Sequence, residues 1–277
     1  MRRQEIRILV DGGIGLNVDL FEADPPPSER RDLIVLHGWP NAGRIWTTFA
    51  SAMLLADPRF RIIAPTFRGY GLSDRPTDGY TCERFALDVR AVLDSLGVDE
   101  FALVGHSMGG KIAQMVALRA GEGLTSLVLI APAPATAGNV PLAKRQEQQA
   151  LFGDTTRIAA LIDGMAAAPL KPSVRDVLIE DGMLASEHAF TRWIDPMREE
   201  DFSTELPLIA VPTLVLFGTA DPLRTEEGLR TAVVNPIPGA SLVPMPNTGH
   251  LGHVEDPMAL ALLVVNFLDR SQPAGAA

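Results

Sequence analysis

The chain has 277 residues, 47% of them hydrophobic, with a formal net charge of −10. That length suits one large α/β domain, or one carrying an inserted subdomain, and the acidic surface excludes nucleic acid as a favoured partner. The single cysteine, Cys82, excludes an internal disulfide framework and a cysteine-rich zinc site.

The opening MRRQEIRILVDGG carries two arginines, but Glu5 and Asp11 interrupt it before any apolar core of signal-peptide length. No export signal is read, and a cytoplasmic protein is expected. No basic amphipathic helix is present to lie on a membrane, and the apolar runs are too short to span one. The Gly12-Gly13 pair sits between two strand-like runs in IRILVDGGIGLNVDLFEAD, which predicts an antiparallel hairpin at a sheet edge. PPPSERR, 25–31, is a polar loop.

Short apolar runs that end in Gly or Pro then recur, as buried strands do. They are LIVLHG (33–38), RIIAPTF (61–67), FALVGHS (101–107), LVLIAPAP (127–134) and TLVLFGTAD (213–221). Segments with helical spacing lie between them, at 80–96, 108–120 and 256–268. Alternating strands and helices predict a mostly parallel sheet covered on both sides. The alternation stops between about 135 and 205, where the chain is rich in Ala, Met and Gln. This predicts a core of 1–134 and 206–277 with a helical cap of 135–205. The tail 271–277, SQPAGAA, is expected to fray.

One stretch carries chemistry. Gly105-His106-Ser107-Met108-Gly109 matches G-x-S-x-G, between an apolar strand and a helix. A strand that turns this sharply into a helix strains the serine and leaves no room for side chains two residues away on either side. The serine Oγ is then exposed at a helix N-terminus, where free N–H groups suit an oxyanion.

With its neighbours, this stretch resembles the α/β-hydrolase superfamily over nearly the whole chain. LHGWPNAGRIW (36–46) resembles the H-G-x-P loop, FRGYGLSDRP (67–76) the R-G-x-G-x-S loop, LFGTADPL (216–223) the strand that ends in the acid, and NTGHLGHVEDP (247–257) the histidine loop. The resemblance implies the α/β-hydrolase fold and a serine nucleophile at Ser107. A serine needs a base, and the chain has five histidines. His37 matches the structural histidine of H-G-x-P, His106 lies in the elbow and His188 in the insertion. Of the remaining two, the family motif places the base at His250, directly after Gly249. His253 is left as a loop-packing or cap-facing residue on the substrate side. The acid that orients the base falls at Asp221. The alternative family position, in APAPATAG (131–138), holds no Asp or Glu. Backbone N–H groups of Trp39 and Met108 are the implied oxyanion donors. Many relatives carry an acidic residue where Thr66 stands, so altered loop hydrogen bonding is expected there.

Relatives that open epoxides or remove halogen carry Asp in the elbow, so Ser107 points instead to an ester, lactone or thioester as small-molecule substrate. Cofactor-free oxygenation, perhydrolysis, carbon–carbon bond hydrolysis and a non-catalytic receptor are the alternatives within the same fold. No cofactor or metal motif is present. Trp39, Phe152, Met165, Met183, Phe190, Trp193 and Met197 are candidates to line the substrate pocket. The few basic residues of the insertion face no predictable direction, so no anionic substrate is expected. Oligomeric state is not legible.

Overall fold

The computed structural model describes residues 1–119 and 123–271; the end of the 108–120 helical segment and all but the first residue of the 271–277 tail lie outside them. Eight strands form one sheet: β1 (Arg2–Val10), β2 (Ile14–Glu22), β3 (Arg31–Leu36), β4 (Phe60–Pro65), β5 (Phe101–His106), β6 (Leu124–Ile130), β7 (Thr213–Gly218) and β8 (Ser241–Met245). Their order is β1-β2-β4-β3-β5-β6-β7-β8. The predicted hairpin is present, with its turn at Asp11–Gly13. Both glycines of that turn have positive φ (76° and 74°), which explains why glycine occupies them. β1 is an edge strand that carries Arg2, Arg3, Gln4 and Glu5 on exposed positions, a charged edge that resists pairing with another chain. β2 is antiparallel to both β1 and β4, and all pairs from β4 to β8 are parallel.

The parallel strands are apolar without alternation because both faces are covered. Every residue of β4, β5 and β7 is buried. The covering helices are α1 (Thr47–Ala56), α2 (Cys82–Ser95) and α3 (Met108–Arg119). The connection through α1 steps from β3 out to β4, and the one through α2 steps back to β5. Right-handed crossovers in opposite directions put their helices on opposite faces. Accordingly α2 packs on α3, while α1 packs on the C-terminal helix. The reversal falls between β3 and β5; in open α/β sheets ligands bind outside the carboxyl ends of the strands at such a point.

Between β6 and β7 the chain forms α4 (Leu142–Gln149), α5 (Thr155–Met165), α6 (Pro172–Leu184) and α7 (Glu187–Ile194), and no strand. Their starts are locally encoded. Asp154 and Ser186 cap α5 and α7 through their side chains, and Pro172 opens α6. After β7 come α8 (Glu226–Leu229), α9 (Gly252–Glu255) and α10 (Pro257–Arg270), the last capped by Asp256.

Polar anchors tie the segment between β6 and β7 to the rest of the fold. Fully buried Lys111, one turn into α3, donates to the carbonyls of Thr136 (3.2 Å), Arg198 (3.0 Å) and Glu200 (2.5 Å). One ammonium therefore joins the outgoing and returning stems. Asp181 of α6 is buried and accepts from Arg44 Nε (2.6 Å) and Ala42 N (3.1 Å). Burial outweighs the pull of Arg44 and raises the Asp181 carboxyl to about 6. Tyr70 Oη donates to Ala189 O at 2.8 Å and Trp39 Nε1 to Phe190 O at 3.1 Å.

Candidate active site

Five loops leave the same edge of the sheet, because the parallel register brings Leu36, Gly105, Leu129 and Ile130, Leu216, and Met245 to one end. The loop after β5 is a single residue, Ser107, with φ of 51°. A non-glycine residue at positive φ is strained. Here four backbone bonds hold it: Ser107 N donates to Ile130 O, while Ser107 O accepts from Gly110, Lys111 and Ala133. A Cβ on Gly105 would collide with Gly109 O and Ala113 Cβ, and one on Gly109 with the carbonyls of Leu36 and His37. Both flanking glycines are thus required by close approach.

The loop after β8 brings His250 to this serine. Its Nε2 lies 2.9 Å from Ser107 Oγ, and its Nδ1 lies 2.8 Å from Asp221 Oδ2. Asp221 follows β7. Its other oxygen accepts from the backbone N–H groups of Leu223 (2.7 Å) and Arg224 (3.1 Å). The Asp221 side chain is fully buried and that of His250 nearly so. Since the carboxylate only accepts, His250 Nδ1 carries the proton, and Nε2 presents a lone pair to the serine hydroxyl.

Trp39 follows Gly38, where an added Cβ would lie 3.2 Å from Ser107 Cβ, and Met108 follows Ser107 in the chain. Met108 N is the first amide of α3. Among the described residues neither amide donates to a protein backbone acceptor. The Trp39 loop is held by His37, which is buried and lowered by burial to about 4. His37 Nε2 accepts from Phe67 N at 3.0 Å, so its Nδ1 donates to Gly38 O at 3.0 Å. Thr66 Oγ1 accepts from Gly43 N at 2.9 Å, so this position contributes a loop hydrogen bond.

His253 does not face the substrate side. It is fully buried on the core side of its loop, with its ring against Trp46 (4.7 Å) and His106 (4.4 Å). Apolar surroundings explain the correction: a neutral imidazole packs there as an aromatic ring. Burial, and then the nearby His250, push it down to about 3. His106 is likewise held well below its ordinary value by burial, and its Nε2 donates to His250 O at 2.9 Å. The elbow histidine therefore props up the backbone of the histidine loop.

These depressed values carry a pH prediction. His37, His106 and His253 are neutral when folded, but each takes a proton in the unfolded chain below about 6.5. The unfolded state then binds more protons, so stability is full above pH 6.5 and falls as pH drops towards 4 and 3. Asp181 works the other way between about 6 and 3.8, as does Asp19, whose carboxyl burial also raises, but these are two groups against three. Urea titrations from pH 7.5 to 5 check this. The midpoint falls with pH in the native chain, and the fall is shallower in His253→Phe, which cannot take up a proton.

Glu255 holds the backbone of the histidine loop. Its carboxylate accepts from the N–H groups of Gly249 (3.0 Å), Leu251 (2.9 Å) and Ala167 (2.8 Å). It fixes the histidine loop and fastens it to the end of α5, where Met165 O accepts from His250 N at 2.8 Å. Of the proposed pocket residues, Trp39 and Phe190 pack together at 4.7 Å, and Phe152 meets Phe190 at 5.6 Å. Met165 and Trp193 are buried and Met183 is half-buried. Buried Met197 has its carbonyl on Cys82 Sγ, 3.8 Å away, at the start of α2. Among the described residues no group of three His, Cys, Asp or Glu is placed to hold a metal ion, and no helix is long and apolar enough to cross a membrane.

A model of the alpha/beta hydrolase family matches residues 33–261. The chain belongs to that family. Among its relatives, the AB hydrolase superfamily protein YisY of Bacillus subtilis is 30% identical over 250 residues, covering 86% of this chain and 91% of that protein. A bifunctional esterase/perhydrolase of Acinetobacter calcoaceticus is 30% identical over 226 residues, covering 74% and 79%. The alpha/beta hydrolase fold also appears in the likeness to an esterase structure from Exiguobacterium antarcticum, with a TM-score of 0.82 at 23% identity, covering 96% of this chain and 100% of that one.

Proposed function

We propose that this alpha/beta hydrolase is a serine hydrolase that cleaves a carboxylic ester, thioester or lactone through an acyl-enzyme on Ser107. The observation that carries the proposal is the line Ser107 Oγ, His250, Asp221, with both contacts under 3 Å. The esterase named among the relatives supports it.

In the first half-reaction Ser107 Oγ attacks the carbonyl carbon as its proton passes to His250 Nε2. Asp221 stabilises the resulting imidazolium. The N–H groups of Trp39 and Met108 stabilise the tetrahedral oxyanion. His250 returns the proton to the leaving oxygen or sulfur as that bond breaks, and the acyl group remains on the serine. Water then gives a proton to His250 as its oxygen attacks the acyl carbon; the bond from that carbon to Ser107 Oγ breaks, His250 returns the proton to Oγ, and the acid leaves. Each step is made by these side chains and water. Residues 135–205 are the cap in this proposal, and 1–134 with 206–277 are the core. Trp39, Phe190 and Phe152 supply an aromatic side to the acyl pocket.

A panel of p-nitrophenyl esters of graded chain length, beside lactones of graded ring size, tests the activity class. Turnover of either class above the buffer rate is expected. Failure on both panels would contradict the proposal.

A further inference from the structure

His106 ends β5 directly before Ser107, and its side chain is buried. Burial keeps the ring neutral, so it carries one N–H. That N–H is directed at His250: Nε2 donates to the His250 carbonyl at 2.9 Å. Nδ1 is buried and has no hydrogen-bond partner among the described residues.

Three neighbours fix this ring. A Cβ added to Gly38 would come within 2.7 Å of His106 Nδ1 and 3.1 Å of its Cε1. The His253 ring lies 4.4 Å away and the His250 ring 5.0 Å away, centroid to centroid. The elbow side chain thus touches both the loop that carries Trp39 and the backbone of His250.

Packing alone does not explain a histidine here. An apolar side chain would fill the space without leaving a buried nitrogen unpaired, which is unfavourable. What it would lack is the donor. No backbone N–H of the described residues donates to the carbonyl of buried His250, so His106 is what satisfies it. On the other side His250 N donates to Met165 O at 2.8 Å. The backbone of His250 is therefore held at its nitrogen by the end of α5 and at its oxygen by the elbow.

We propose that His106 is a positioning residue. Its imidazole is a rigid spacer that sets the distance between Ser107, to which His106 is joined by a peptide bond, and the backbone of His250. The inference rests on the serine-hydrolase reading above, in which His250 is the base. A shift of about 1 Å in a reacting group lowers rates by roughly 10²-fold. The aromatic residues proposed to line the acyl pocket keep their places, so the loss falls on kcat rather than KM.

Three variants separate donation from packing, with p-nitrophenyl butyrate as the probe. His106→Gln places an amide N–H at about the reach of Nε2, His106→Asn is one bond too short, and His106→Met fills volume without a donor. At a temperature well below each Tm, the Met and Asn variants are expected to lose about 10- to 100-fold in kcat, with KM within about threefold of native. His106→Gln is expected to recover kcat to within about fivefold of native. Native kcat in His106→Met, or His106→Gln as impaired as His106→Met, overturns the proposal. A second measurement needs no variant to fold: ¹⁵N NMR of the native chain near neutral pH is expected to show His106 as the Nε2–H tautomer, and the Nδ1–H tautomer would overturn the proposal as well. If Ser107→Ala is inactive while His106→Met matches the native chain, only the positioning role fails. If Ser107→Ala still turns over the ester, the serine-hydrolase reading fails.

Discussion

Ser107→Ala is expected to lose about 10⁴-fold or more of its ester hydrolysis while keeping its fold. The substitution removes one atom, the Oγ that faces His250 Nε2. Alanine keeps the Cβ, and the four backbone bonds that hold the elbow involve only the main chain at this position. The remaining oxyanion donors and binding surface sustain a residual rate, as they do when a serine nucleophile is lost elsewhere. The checks are kcat/KM on the best ester of the panel and the circular dichroism melting curve. A variant that kept a tenth of the activity would show that another group attacks the carbonyl.

Asp221→Asn is expected to lower kcat by about 10³- to 10⁴-fold, with a much smaller change in KM and an intact fold. The reason lies in how the carboxylate is divided. Oδ1 is held by two backbone donors and Oδ2 faces His250 Nδ1. An asparagine keeps its single oxygen on the two backbone N–H groups and so turns its NH₂ towards His250. Nδ1 then has to accept, the ring proton moves to Nε2, and the base can no longer take the serine proton. Near-normal kcat in this variant would place the orienting carboxylate elsewhere. Glu255 already accepts three backbone N–H groups and Asp256 caps α10, so neither is free to substitute.

Much of this was legible because it is local or steric. Buried parallel strands are continuous apolar runs, and their centres were found even where the ends were not. β1 begins at Arg2 rather than Ile6 because an exposed edge strand need not be apolar. Glycines 105 and 109 announced the elbow, since close approach admits no other residue. What escaped depends on burial and on distant partners. The type and spacing of His253 made it look like a site residue, but its neighbours Trp46 and His106 come from other parts of the chain. Lys111 lies in a helix segment whose every residue through Val116 is buried. A charge at such a position signals a structural partner, but its three carbonyls are 25 to 89 residues away.

The central claim is that Ser107 becomes covalently acylated. Its most direct measurement is intact-protein mass spectrometry, with peptide mapping, after treatment with a serine-reactive p-nitrophenyl phosphonate. One adduct is expected, located at Ser107, forming in step with loss of ester hydrolysis and absent from Ser107→Ala. An adduct at another residue, or an enzyme that still turns over ester at full phosphonate occupancy of Ser107, would contradict it.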